Sequence, residues 1–129
     1  MLLLLILLLP GGCALPPETA LRDWAWSASE VAVAPSLPAD AADAASQDAM
    51  QDALAVYLYA LGVVADGAPL PFREAAFAPL PAAAGGSAGE AVAALGAVMR
   101  TARDAPRLRP MIETADAPVQ DLVATLLLR

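Results

Sequence analysis

The chain is 129 residues long, one domain's worth, and carries 14 Asp and Glu against seven Arg, with no Lys and no His. A net charge of −7 excludes nucleic acid or an anionic membrane surface as the main electrostatic partner, because both need clustered cations. Without imidazole, and with a single cysteine, the chain lacks the usual general base, metal-ligand set, nucleophile triad and intrachain disulfide.

The first element is the run LLLLILLL, Leu2 to Leu9, followed by Pro10, Gly11, Gly12 and Cys13. A bilayer span needs about 20 apolar residues, and Pro-Gly-Gly ends this run well before that. Its length and the small residues after it fit the hydrophobic region of a signal peptide. The order of hydrophobic run, small residues, cysteine and Pro-bearing linker resembles bacterial lipoprotein signal peptides. That resemblance covers about the first 16 residues. By position it implies cleavage after Gly12, acylation of Cys13 and anchorage in a lipid bilayer through that cysteine. Gly11 and Gly12 match the family's small residues; Pro10 stands where the pattern has an aliphatic, and no cation follows Met1. Ala14 after the cysteine, in place of Asp, implies sorting to the outer membrane of a Gram-negative envelope. The alternative is ordinary secretory cleavage, which leaves a soluble periplasmic or secreted protein.

Residues 1–12 are thus expected to be a cleaved signal peptide, 13–17 a short anchor linker and 18–129 a helical domain. From Leu15 onward the apolar spacing is helical, and no segment alternates as a strand does. The first helix is predicted from PPET to about Val33, with Leu21, Trp24, Ala25, Ala28, Val31 and Ala32 on its buried face. APSLPAD breaks it. The second is predicted from about Asp40 to Ala65, capped by Asp40 or Asp43. Its stripe is Met50, Leu54, Tyr57, Leu61 and Val64, and Gly67 and Pro69 stop it.

Residues 66–86 form a Pro/Ala/Gly-rich connection, with Phe72, Phe77 and Leu80 as the side chains that pin it to the helices. SAGE at 87–90 reads as a capping box, Ser87 at the N-cap and Glu90 three residues on. It opens a third helix to about Asp104 that buries Ala91, Leu95, Val98 or Met99, and Ala102. Beyond Pro106, a short helix from Pro110 and a final one from about Pro118 are expected, the last burying Val119, Leu122, Val123 and Leu126. The fold class is all-α, a small antiparallel bundle of four to five helices. Apolar residues make up 59% of the chain, but alanine dominates them, so close Ala-mediated helix contacts are expected to carry much of the core.

Chemistry is sparse. Asp48 and Asp52 share a helix face at i, i+4, but with no third ligand and no neighbour to separate their pKa values they read as a solvated face. Asp40 with Asp43, and Glu113 with Asp116, read the same way. GGSAG at 85–89 lacks the Lys of a phosphate loop and reads as a flexible lead into a helix. No catalytic residue, metal site or cofactor is expected. Trp26 lies roughly 200° around the helix from Trp24, so both cannot enter one core. Arg22, four residues before it, can lie over the indole. Trp26 then either packs under a Pro-rich loop or, with Arg22 and Tyr59, forms a surface for an envelope protein partner. The three leucines Leu126 to Leu128 are expected to fit a groove between helices rather than leave an open apolar edge.

The expected role is structural or protein-interacting, in a membrane-anchored cell-envelope lipoprotein. The alternative is a periplasmic carrier or binding module with an apolar pocket between Ala-lined helices. An enzyme is not expected.

Overall fold

The structure, a computed structural model, describes residues 17–33 and 40–128. The signal segment, Cys13 and the break at 34–39 lie outside the described residues. Four long helices and two short ones form an all-α bundle: α1 (Pro17–Ala32), α2 (Ala41–Ala65), α3 (Glu74–Phe77), α4 (Leu80–Ala84), α5 (Gly86–Asp104) and α6 (Leu108–Leu127). No strand occurs among the described residues.

Local chemistry accounts for both ends of α2. Asp40 is extended, and its carboxylate accepts the Asp43 amide at 2.7 Å, satisfying a free N–H of the first turn. At the other end Gly67 takes φ +74, its amide donates to the Val64 carbonyl, and the Ala68 amide donates to Val63. That pair of bonds is the Schellman stop, open to glycine because a left-handed residue with a Cβ is strained.

α1 runs antiparallel to α2, since Arg22 meets Asp66 while Trp26, further along α1, meets the earlier Gly62. α2 and α5 run in the same sense: Ser46 donates to the Ala84 carbonyl just before α5, and Tyr59 and Ala60 share a cleft with Met99. α6 returns antiparallel to α5 after a short connection. Met50, Val92, Leu95, Met99 and Leu122 are fully buried at the centre. Ala25, Ala53 and Ala115 are also wholly enclosed, so the alanines serve as close-contact points between helices.

Several expectations are corrected. The long helix after the connection begins at Gly86, with Gly85 at the N-cap and no side-chain cap, so Ser87 lies in the first turn and the capping box does not form. Gly85 and Gly86 both have positive φ, which turns α4 directly into α5 without a Ser-capped loop. Residues 66–86 contain α3 and α4 rather than a bare loop, with Phe77 buried and Phe72 and Leu80 against the core, as their pinning role predicts.

Residues 108–127 form one helix, not two. Pro118 cannot donate to the Thr114 carbonyl, a loss that ordinarily breaks a helix. It is carried here because Met111, Ala115, Pro118 and Leu122 fall on one buried stripe that a break would disperse. Val123 is exposed rather than buried. Leu126 packs on the core, whereas Leu127 and Leu128 are more than 80% exposed, so the C-terminal leucines leave an open edge instead of filling a groove.

Gly67→Ala should lower stability by about 1–2 kcal/mol, read as a shift of the urea midpoint at constant slope, and Gly67→Asn should lose less. Tyr57 is buried, which pushes its phenol up to about 12, and the charge of Asp116 adds to the shift. Between its ordinary value of 10.0 and about 12 the folded chain therefore holds a proton that the unfolded chain releases. Stability should fall as pH rises through that window, and a urea-midpoint series on Tyr57→Phe should lose this part of the dependence.

Candidate functional site

The structure brings Arg22, Trp26 and Tyr59 together. Arg22 and Trp26 sit one turn apart on α1, and the guanidinium carbon lies 5.4 Å from the centre of the Trp26 ring. Tyr59 comes from α2, its ring stacked on Trp26 with centroids 6.3 Å apart and planes 24° from parallel. Arg22 is held in place by Asp66 at 2.7 Å and Asp23 at 3.0 Å. These hydrogen bonds, Asp66 first, raise its already high pKa, so the charge over the indole is permanent.

The cluster does two separate jobs. A Cβ on Gly62 would overlap the Trp26 indole, so the ring lies directly on the α2 backbone. The indole Nε1 is buried there with no acceptor among the described residues. Trp26 is thus the side chain that docks α1 on α2. Tyr59 is the outward part, with 55% of its surface exposed. The assignment of the two tryptophans is reversed from the expected face: Trp24 is 58% exposed and Val31 72%, while Ala25 and Trp26 turn inward. An all-apolar stripe favoured Trp24. The face that packs instead runs through Arg22 and Ser29, whose polar atoms are satisfied by Asp66 and by the Trp26 carbonyl. Trp26 packs on α2, and the Pro-rich segment at 34–39 lies outside the described residues.

Tyr59 also borders a groove of about 230 Å³ lined by Val56, Leu70, Phe72, Arg73, Phe77 and Met99. Phe72 and Phe77 meet edge to face at 5.8 Å, which fixes its floor. A second, larger cleft of about 460 Å³ lies between α5 and α6, open on one side and lined by Ala94, Ala97, Thr101, Ala105, Arg107 and Met111. Neither cleft carries an acidic side chain among its lining residues.

The cations sort against these two surfaces. Arg22 pairs with Asp23 and Asp66, Arg100 and Arg103 with Glu74, and Arg109 with Glu113 at 4.0 Å. Among the described residues the guanidinium groups of Arg73 and Arg107 alone make no ion pair or hydrogen bond. Each lines one of the two apolar clefts. Sequence reasoning missed both, because nothing local marks an arginine as unpaired in a chain with twice as many carboxylates. It also missed Gly62, although a glycine inside an apolar helical stripe, costly by about 1 kcal/mol against alanine, signals a close approach.

The carboxylate pairs stay apart from these surfaces. Asp52 is pushed up by desolvation, with Asp48's charge adding to it. Among the described residues no cluster of three or more His, Cys, Asp or Glu is placed to hold a metal ion, and no helix is long and apolar enough to cross a membrane. Comparison with protein families, with curated proteins and with solved structures finds no match.

Gly62→Ala should displace the indole and loosen α1, lowering stability by about 1–3 kcal/mol as other overpacked contacts do. In a Trp24→Phe background, which leaves Trp26 as the only indole, the emission should shift to the red. Amide exchange should accelerate across residues 17–32 before it does in α5 or α6.

Proposed function

We propose that the chain is a cell-envelope lipoprotein, acylated at Cys13, held on the outer membrane facing the periplasm, with a helical domain that binds a protein partner. The anchor rests on the LLLLILLL-PGGC order at residues 2–13. The observation that carries the interaction role is the exposed Tyr59, stacked on a Trp26 seated on the α2 backbone and bordering an apolar groove with an unpaired Arg73. A rigid aromatic that loses little freedom on binding, beside an apolar floor and a free cation, has the composition of an interface hot spot. Arg22 supports it from behind, fixing the indole rather than reaching outward, because its charge is taken up by Asp66 and Asp23.

The enclosed core and scattered carboxylates favour this reading over an enzyme. The soluble periplasmic alternative differs only in the fate of Cys13.

Two measurements test the parts separately. Intact mass and membrane fractionation should find acyl mass and sedimentation for the wild type, and neither for Cys13→Ser; an unmodified, soluble wild type overturns the anchor. A photo-crosslinking residue at position 59 should capture one saturable partner in intact cells, and one at Gln120 on the exposed side of α6 should not. Tyr59→Ala should then weaken the complex by about 2 kcal/mol, roughly thirtyfold in Kd.

A further inference from the structure

We propose that the cleft between α5 and α6 is a binding site for a single-chain amphiphile with a carboxylate head, paired by Arg107. Its volume of about 460 Å³ falls within the range of small-molecule pockets. The walls are built of residues that leave room: Ala94 and Ala97 at one end, Ala102 and Ala105 toward the other, with Met111 across from them. At a rise of 1.5 Å per residue, the stretch of α5 from Ala94 to Ala105 is roughly 16 Å long. That is a slot with the proportions of an alkyl chain.

The slot is apolar along its length and charged at one end. Arg107 lies in the α5–α6 connection and lines the cleft beside Pro110. Its guanidinium has no carboxylate or hydrogen-bond partner among the described residues, although acids outnumber arginines two to one in the chain. Thr101 and Thr114 add hydroxyls to the lining, and no acidic side chain lines the cleft to repel an anion. A guanidinium matches a carboxylate with two parallel hydrogen bonds. A neutral apolar ligand would leave that cation unused, and a dianionic head would exceed its single charge. The inference stands whether or not Cys13 carries an anchor, since the cleft lies wholly within α5, α6 and their connection.

Calorimetric titration of the full Cys13→Ser chain with sodium decanoate and with decanol, both kept below aggregation, tests it. One saturable equivalent of decanoate is expected. Arg107→Gln should weaken decanoate by about tenfold or more while leaving decanol almost unchanged, the loss of one charge-assisted pair. Ala97→Phe, which fills the slot from an exposed position, should abolish both. Arg73→Gln, in the other groove, should change neither. Absence of saturable decanoate binding, an unaltered Arg107→Gln, retention in a folded Ala97→Phe, or loss in Arg73→Gln overturns the proposal. Only the Arg107 backbone serves the fold, its carbonyl accepting the Met111 amide at the start of α6, so the side-chain variant remains informative even if Ala97→Phe proves unstable.

Discussion

Three segments of this chain are seated on helices at points where the helix has no side chain. The Trp26 indole lies on Gly62, the Phe77 ring lies on Gly96, and the Pro81 carbonyl lies on Gly89, each close enough that a Cβ would collide. These seats bring α1 to α2 and α3 and α4 to α5. Segments of four and five residues such as α3 and α4 cannot hold helical form alone, because nucleation is unfavourable and few bonds follow it. Their form comes from the surfaces they sit on. A core poor in aromatics gains from the same device: Trp26 and Phe77 are set where glycines leave the helix surface open, against helices otherwise lined with alanine.

Ion pairs then fix which way the seated segments face. Glu74 of α3 reaches Arg100 and also Arg103 on α5, at 3.6 Å for the second, and Arg22 of α1 reaches Asp66 at the end of α2. These groups are all partly exposed, so each pair contributes little to stability. Their consequence is positional. Arg22 cannot leave the indole without giving up Asp66, and α3 cannot slide along α5 without separating Glu74 from its two arginines. The arginines left over after this pairing are the ones that give the two clefts their charge.

The long elements were legible because apolar spacing and stop signals agree there. Met50, Leu54, Tyr57, Leu61 and Val64 form one buried stripe on α2, and Asp40 and Gly67 bound it as capping chemistry requires. The misreadings share a cause: tertiary packing outweighed a local rule. Ser87 and Glu90 have the right spacing for a cap, but two successive positive-φ glycines start the helix earlier. Pro118 looks like a helix start, yet its neighbours' burial holds the helix through it. Trp24 fits the apolar stripe better than Trp26, but only Trp26 finds a glycine opposite. The constellation of Arg22, Trp26 and Tyr59 was readable as a set of residue types, whereas its division into a fixed base and an outward tyrosine depended on Gly62. Neither cleft was readable: the groove beside Tyr59 joins residues from Val56 to Met99, and the α5–α6 cleft depends on how two successive helices pack, which apolar spacing does not fix.

The helix directions place these features relative to one another. α1 begins at the end of the bundle where α2 stops, because Arg22 meets Asp66. α5 runs with α2, so the connection bearing Arg107 belongs to that same end. A tether at Cys13, four residues before Pro17, would hold that end within roughly 14 Å of the anchored atom. Tyr59 lies seven residues before Asp66, about 10 Å along α2, and so falls in the same half of the bundle. Both clefts would then open near the bilayer that the tether occupies. Leu127 and Leu128 end α6 at the opposite pole, about 30 Å of helix away. With a tether at Cys13, their exposed apolar surface would therefore lie away from the bilayer.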